Sequence, residues 1–221
     1  MIITMDGPAG AGKSTVARAL ARRLGFRFLD TGAMYRAVAL AGKRAGLDWD
    51  APDDLARLAR SLDLQVAGDR ILLNGEDVTE AVRASDVTAV TRYAADNPQV
   101  REHLVKLQRR LAAAEQNVVT EGRDQGTVAF PNAECKIFLT ASPEERARRR
   151  LRDLQAQGEP VTFEQVLAAQ QQRDQQDASR TVGPLRAAED AVTLCTDGLS
   201  LEQVVDRLEK IAKSSSMPPV P

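Results

Sequence analysis

Histidine and cysteine are scarce in this sequence, which limits the chemistry open to the protein. The 221 residues include one histidine and two cysteines. Cys135 and Cys195 are too few for a disulfide framework and lack the spacing of metal ligands, so we expect neither a disulfide scaffold nor a zinc site. His103 lies in a polar stretch that predicts a surface helix. We therefore expect a reaction that needs no histidine base.

A long apolar run and a charge surplus are also lacking. No run reaches the roughly 18 residues of a membrane span, and the first residues resemble a short strand rather than a signal sequence. The net charge of -1 argues against a general nucleic-acid binder, which would carry a basic surplus. Because 43% of the residues are apolar, the chain can bury a sizeable core. We expect one cytoplasmic domain with insertions, without nucleic-acid or membrane partners.

A glycine-rich loop near the start is the strongest local signal. The run Ile2 to Met5 predicts a buried strand, and the sequence from Gly7 to Ser14 reads GPAGAGKS. This fits the pattern G-x-x-x-x-G-K-[ST], in which glycines let main-chain N–H groups converge on phosphate oxygens. A predicted helix follows, and its N-terminal dipole favours an anion. The loop predicts a nucleoside triphosphate site.

The same pattern assigns roles within the loop. We predict that Lys13 reaches the β and γ phosphates and that the Ser14 hydroxyl binds Mg²⁺. The predicted ATP-binding residues are Gly7, Pro8, Ala9, Gly10, Ala11, Gly12, Lys13, Ser14 and Thr15.

Strand-like and helix-like segments alternate along the rest of the chain, which predicts an α/β fold with a parallel core sheet. Further strands are expected at 118–120, 136–139 and 191–195, and a small antiparallel hairpin sheet at 62–75. In parallel sheets, ligands bind beyond the carboxyl ends of the strands.

Among proteins with such a loop, a small kinase is the simplest interpretation. The N-K-x-D motif of GTPases is missing, and motor or transport ATPases need a longer chain. The absence of a histidine base and of an activated hydroxyl favours an acceptor that is itself a phosphate. A nucleoside monophosphate needs only positioning and charge neutralisation, which Mg²⁺, Lys and Arg supply.

Four segments, in order and spacing, resemble bacterial cytidylate kinases: ITMDGPAGAGKST, LDTGAMYRA, EGRDQGTVAFP and RDQQDASR-x-x-GPL. The resemblance extends from Ile3 to about Leu208. It implies the P-loop kinase fold, with a five-stranded parallel core sheet flanked by helices, an acceptor-binding insert of helices and antiparallel strands, and a lid. It also implies a monomer that transfers the γ-phosphoryl group of MgATP in line to CMP or dCMP.

The resemblance also implies an acceptor site. Arg36 and Arg123 would bind the monophosphate, and Arg101 and Asp124 would read the cytosine edge. A carboxylate accepts from the N4 amino group and an arginine donates to N3 and O2, whereas uracil reverses the donor pattern at N3 and N4. The full implied CMP-binding set is Thr31, Tyr35, Arg36, Thr91, Arg92, Arg101, Arg123, Asp124, Arg173, Asp177 and Arg180.

The sequence departs from the family at two places near the base. Where the family has a small hydroxyl residue, this chain has Thr91 followed by Arg92. Either Thr91 supplies the hydroxyl after a one-residue shift, or Arg92 adds a second contact to the base. Gln125 replaces an apolar residue after Gly-Arg-Asp.

For the transfer itself, the predicted catalytic residues are Lys13, Arg123, Arg148 and Arg150. Arg148 and Arg150 are the members of the lid's arginine cluster that we expect at the triphosphate. Glu121, at the end of a strand, is expected to hold Mg²⁺ through water, together with Ser14.

The predicted organisation is core 1–36, acceptor-binding insert 37–114, core 115–145, lid 146–180, core 181–213 and a disordered tail 214–221. Two alternatives stay open at this point. One is a kinase for another small acceptor, such as UMP or a shikimate-like alcohol, and the other is a nucleotide-dependent regulatory ATPase.

Overall fold

The structure is a computed structural model, and it describes residues 1–156 and 158–215. The strands are β1 (Ile2–Asp6), β2 (Arg27–Asp30), β3 (Leu64–Ala67), β4 (Arg70–Leu73), β5 (Glu76–Asp77), β6 (Val118–Gly122), β7 (Cys135–Thr140) and β8 (Val192–Cys195). The helices are α1 (Lys13–Leu24), α2 (Thr31–Arg44), α3 (Pro52–Ser61), α4 (Ser85–Asp96), α5 (Pro98–Ala113), α6 (Pro143–Ala156), α7 (Phe163–Ser179) and α8 (Leu201–Ser215).

Within the described residues, the main sheet has five strands in the order β2-β6-β1-β7-β8. The central strand β1 pairs in parallel with β6 and β7, and β8 pairs in parallel with β7. Ile3, Met5 and Leu139 are fully buried because these strands are covered on both faces. The prediction of a five-stranded parallel sheet flanked by helices is confirmed.

The register of β1 and β6 places two chemically important segments next to each other. Met5 lies opposite Glu121, and Asp6 lies opposite Gly122. Because both strands run in the same direction, the glycine-rich loop after β1 and the Gly-Arg-Asp segment after β6 leave the sheet at the same edge.

The chain forms two compact units, the first from residues 1–26 with 117–221 and the second from residues 27–116. In the second unit, β3, β4 and β5 form the predicted small sheet, which has antiparallel pairing with Leu64 opposite Leu73. Gly68, at the turn between β3 and β4, has a φ of 66°, which glycine adopts at little cost. Among the described helices, none combines the length and the apolar composition needed to cross a bilayer.

One predicted boundary is wrong. Ser214 and Ser215, predicted as the start of a disordered tail, form the last turn of α8. Their hydroxyls donate to the carbonyls of Lys210 and Ile211, four residues earlier, so they are held within the helix. The rest of the predicted tail, 216–221, lies outside the described residues.

Candidate functional site

The glycine-rich loop joins β1 to α1 in the first unit. Gly7 to Gly12 form the loop, and Lys13, Ser14 and Thr15 form the first turn of α1. Gly10 and Gly12 have φ values of 78° and 86°, which side chains other than glycine rarely adopt. In the described structure, no side chain caps α1 and no acidic residue lies in its first turn. The N-terminal N–H groups of the helix are therefore suited to an anion.

Gly7 is required by a close approach of two backbones. Its φ is 149°, and a Cβ atom built on it would lie 1.9 Å from the carbonyl oxygen of Leu139 on β7.

We expect Gly7→Ala to lower the free energy of unfolding by more than about 3 kcal/mol, since overpacking adds to backbone strain. Urea denaturation measures this change. In the matched variant Gly25→Ala, φ is 70° and a Cβ would meet nothing within 4 Å, so only about 1 kcal/mol is expected. Equal losses in the two variants would contradict the steric argument.

Lys13 is the buried cation of the loop. Its Nζ donates to the carbonyl oxygen of Pro8 at 2.8 Å. Burial, reinforced by the charge of Arg123, lowers the pKa of Lys13 to about 7, although Glu121 and Asp6 oppose the shift. A triphosphate beside this ammonium would favour its charged form.

Ser14 and Glu121 bring two hard oxygen donors together. Ser14 Oγ donates to Glu121 Oε1 at 2.9 Å, so these two side chains connect the C-terminal end of β6 to the start of α1. In the part of the chain that the structure describes, no cluster of three His, Cys, Asp or Glu side chains could hold a metal ion. Mg²⁺ at a triphosphate needs no such cluster, because phosphate and water oxygens complete its octahedron. The two side chains therefore fit a magnesium site.

Asp6 connects the glycine-rich loop to the Gly-Arg-Asp segment. Its two carboxylate oxygens accept from the main-chain N–H groups of Gln125 and Gly126, each at 2.8 Å. Burial raises the pKa of Asp6 to about 6, and these two hydrogen bonds limit the rise. Asp6 is not among the residues predicted from the sequence. The sequence does contain a signal for such a role, because Asp6 is a carboxylate at the end of a predicted buried strand, directly before the loop.

Asp177 lies between two of the predicted acceptor-site arginines. Its oxygens contact Arg123 Nε at 2.7 Å and Arg180 Nη2 at 2.6 Å. Burial alone would raise the pKa of Asp177, but these arginines outweigh burial and lower it. Arg173, exposed one turn earlier on α7, adds to the lowering. The structure thus brings Arg123, Asp177 and Arg180 together, with Arg173 nearby.

Asp124 and Gln125 follow Arg123 in a tightly held segment. Asp124 is buried, and its carbonyl accepts from the N–H groups of Val128 and Ala129 in a π-helical turn. Gln125 is buried too, and its Oε1 accepts from Thr120 Oγ1 at 2.8 Å. The polar residue at this position is therefore satisfied by a neighbouring polar side chain.

In the second unit, Asp30 organises part of the predicted acceptor site. It caps α2 by accepting from Ala33 N at 2.8 Å. Arg36 Nη2 lies 3.6 Å from one of its oxygens, and Arg83 Nη2 lies 4.0 Å from the other. Thr31 is buried in the same turn. Arg83 is not among the predicted residues, because it lies in a separate 3₁₀ turn (Ala81–Arg83) without a motif of its own.

Tyr35 and Arg101 also meet in this unit. The guanidinium carbon of Arg101 is 5.4 Å from the centre of the Tyr35 ring, and Arg101 Nη1 donates to the carbonyl of Ala95 at 3.0 Å. Arg101 is only 3% exposed. A buried cation held against an aromatic face keeps a fixed direction, as a base-reading arginine requires.

Thr91 and Arg92 point to different partners. Thr91 Oγ1 donates to the carbonyl of Val87 within α4 at 2.8 Å. Arg92 lies exposed, with its guanidinium 4.8 Å from the Tyr93 ring centre and Nη2 2.9 Å from the Tyr93 hydroxyl. Tyr93 in turn stacks on Trp49. A contact of either residue with the base stays a prediction.

The lid arginines near the loop are not the predicted ones. Arg146 Nη1 donates to the loop carbonyl of Ala9 at 3.0 Å, and Arg149 Nη1 lies 3.9 Å from a Cβ built on Gly12. By contrast, the Arg148 side chain is 60% exposed and Arg150 is also exposed. The structure therefore does not bring Arg148 and Arg150 to the loop. Arg146 and Arg149, three residues apart, lie on the helix face that meets it.

Comparison with known proteins connects this geometry to a family. The family model for cytidylate kinase matches residues 3–214. A cytidylate kinase of Rhodopirellula baltica is 52% identical over 213 residues, which cover 96% of this chain and 93% of that protein. The Carboxydothermus hydrogenoformans enzyme of the same name is 48% identical, with 96% of each chain covered. The resemblance predicted from the four motifs is confirmed.

Solved structures agree on the fold. TT1252 from Thermus thermophilus has a TM-score of 0.51 at 23% identity, covering 99% of this chain and 98% of that one. Shikimate kinase from Bacteroides thetaiotaomicron has a TM-score of 0.50 at 17% identity, covering 96% and 98%. At these identities the likeness shows the fold alone. With a family model that spans nearly the whole chain and relatives at about half identity, this protein belongs to the cytidylate kinase family.

Proposed function

We propose that the protein transfers the γ-phosphoryl group of MgATP to CMP or dCMP, giving ADP and CDP or dCDP. The observation that carries the proposal is the position of two segments, one after β1 and one after β6, in a chain that belongs to the cytidylate kinase family. There a phosphate-binding loop lies next to a segment with a buried carboxylate and an ion-paired arginine, Asp124 and Arg123.

The donor half of the proposal uses the loop. Main-chain N–H groups of the loop and the start of α1 bind the phosphates, and Lys13 neutralises charge on the transferred group. Ser14 would bind Mg²⁺ directly and Glu121 would hold it through water. With ATP bound, the metal would supply positive charge that offsets the charge of the phosphates. Among the lid arginines, Arg146 and Arg149 have better support as donor contacts than Arg148 and Arg150, because they already lie at the loop.

The acceptor half follows the pattern of the cytidylate kinase family. In the proposal, Arg36 and Arg123 bind the monophosphate, and Arg101 with Asp124 reads the cytosine edge. Asp177 and Arg180, supported by Arg173, hold the ribose and phosphate. Thr31, Tyr35 and either Thr91 or Arg92 complete the CMP-binding set. These assignments follow the family pattern, and what supports them is that the buried charges are already held in fixed directions.

A monophosphate acceptor that receives the phosphoryl group directly, in line, fits these groups better than an alcohol acceptor. An alcohol acceptor would need a carboxylate base, but Asp6 already accepts two main-chain hydrogen bonds and Asp177 already contacts two arginines. A monophosphate acceptor is anionic near neutral pH and needs no base, only arginines that place it.

A panel of acceptors tests the proposal. With saturating MgATP, we expect kcat/KM for CMP to exceed that for UMP by at least about 100-fold, because uracil reverses two hydrogen bonds of roughly 1–3 kcal/mol each. Shikimate should give no product. ADP formation and the phosphorylated product are measured together. Strong turnover of another acceptor with none on CMP would refute the proposal, and ADP release without a phosphorylated product would favour the regulatory ATPase.

The expected location follows from the composition, and the expected monomeric state follows from the family resemblance. A monomer in the cytoplasm, without nucleic-acid or membrane partners, is part of the proposal. Gel filtration at working concentration tests the monomeric state.

A further inference from the structure

Arg146 is a buried cation that joins the helices α6 and α7 to the phosphate-binding loop within the first unit. Its side chain is only 5% exposed. Nη1 donates to the carbonyl of Ala9 at 3.0 Å and to Asp174 Oδ2 at 2.6 Å, while Nε donates to the carbonyl of Ala141 at 3.1 Å. The guanidinium therefore holds two carbonyls and one carboxylate at once.

The contact with Ala9 affects the part of the loop that would meet phosphate. A loop of this kind binds anions through its N–H groups, so its carbonyls must turn to other donors. The carbonyl of Pro8 accepts from Lys13 Nζ, and that of Ala9 accepts from Arg146. Because the peptide is planar and trans, directing the Ala9 carbonyl toward Arg146 directs the Gly10 N–H to the opposite side. Arg146 thus fixes the orientation of one peptide of the loop.

Helix α7 holds Arg146 at two points. Gln170 Nε2 donates to the Arg146 main-chain carbonyl at 3.3 Å, and Asp174, one turn later, pairs with the guanidinium. A Cβ on Gly10 would lie 2.8 Å from Gln170 Nε2, so this part of α7 packs directly on the loop. A buried guanidinium is costly without an opposite charge, and Asp174 supplies that charge.

We propose that Asp174 is a positioning residue for the phosphoryl donor. It holds Arg146 on the Ala9 carbonyl and thereby keeps the loop in the shape that accepts the triphosphate. Its other oxygen, Oδ1, is buried and has no hydrogen-bond partner in the described part of the chain. The ion pair with Arg146 is therefore the interaction by which this carboxylate would act.

The test is the affinity for ATP of the Asp174→Asn variant, measured by calorimetric titration. The amide keeps the size and one acceptor but loses the charge, and charge-assisted hydrogen bonds are about twice as strong as neutral ones. We expect the Kd for ATP to rise about tenfold, while the Kd for CMP stays within about twofold. Equal losses for both nucleotides would indicate a general structural role and overturn the proposal.

Two further variants separate positioning from simple loss of charge. Asp153→Asn removes the same charge from an exposed position on α6 and should leave the Kd for ATP unchanged; a tenfold rise there would overturn the proposal. In an Arg146→Ala background, Asp174→Asn should change the Kd for ATP by less than about twofold, since its partner is gone. A full effect without Arg146 would show that Asp174 acts by another route.

The inference rests on donor binding by the loop and not on the identity of the acceptor. If the unmodified protein binds ATP but not CMP, the acceptor assignment fails and the donor measurements still decide the role of Asp174. In that case the midpoint of thermal unfolding replaces CMP affinity as the control for folding.

Discussion

Lys13→Ala is expected to lower kcat by about a thousandfold, which corresponds to roughly 4 kcal/mol of lost charge stabilisation on the transferred group. Lys13 is almost fully buried and lies over the loop, with its ammonium on the carbonyl of Pro8. Because the pKa of Lys13 is lowered to about 7 in the nucleotide-free protein, the buried charge is not a source of folding stability. Loss of the side chain should therefore act on turnover rather than on folding. Steady-state kinetics with CMP measures the effect.

The acceptor side serves as the internal control for this variant. The KM for CMP should change by less than about threefold, since Lys13 contacts the donor in our proposal. Lys106→Ala, at an exposed position on α5 that pairs with Glu102, should behave as the unmodified protein. Normal turnover of Lys13→Ala would contradict the role in phosphoryl transfer.

Asp124→Ala should have the second largest effect, now on the acceptor. We expect kcat/KM for CMP to fall by roughly 100-fold, because the variant removes the buried carboxylate that, in our proposal, accepts from the cytosine amino group. The KM for ATP should hardly change. The charge of Asp124 raises the pKa of its neighbour Asp6, so removal of the carboxylate relieves that repulsion.

Asp124→Asn provides a sharper version of the same experiment. An amide can rotate and donate to the O4 of uracil, so the preference for CMP over UMP should narrow by about tenfold or more. Asp50→Asn, in an exposed loop before α3, is the matched control and should keep the full preference. If Asp124→Ala weakens the binding of ATP and of CMP to the same extent, the residue stabilises the fold and does not recognise the base.

The parts of this protein that sequence predicted best are local ones. The loop from Gly7 to Ser14 needs particular residues at fixed spacing, so its pattern is readable without a structure. The parallel sheet follows from alternating strand and helix patterns, and the hairpin sheet in the second unit from the turn residues around Gly68. In each case the signal lies within a few residues of the feature that it predicts.

The parts that sequence missed depend on which helix face meets which loop. Arg148 and Arg150 were preferred within a run of arginines, whereas Arg146 contacts Ala9 and lies at the buried face of α6. Spacing within one helix cannot identify the face that is covered, because that depends on contacts such as the one with Ala9, 137 residues away in the sequence. The roles of Asp174 and Asp6 depend on similar long-range contacts.

The pairing of β1 with β6 has a consequence for the accuracy of the reaction. The register opposes Asp6 to Gly122, and a slip of one residue would move the two following segments by about 3.3 Å relative to each other. Reacting groups tolerate errors of only about 1 Å before rates fall by orders of magnitude. The hydrogen-bond ladder of two buried strands thus fixes the separation of the segments assigned to donor and acceptor. Substitutions that loosen this ladder should therefore lower turnover before either nucleotide loses measurable affinity.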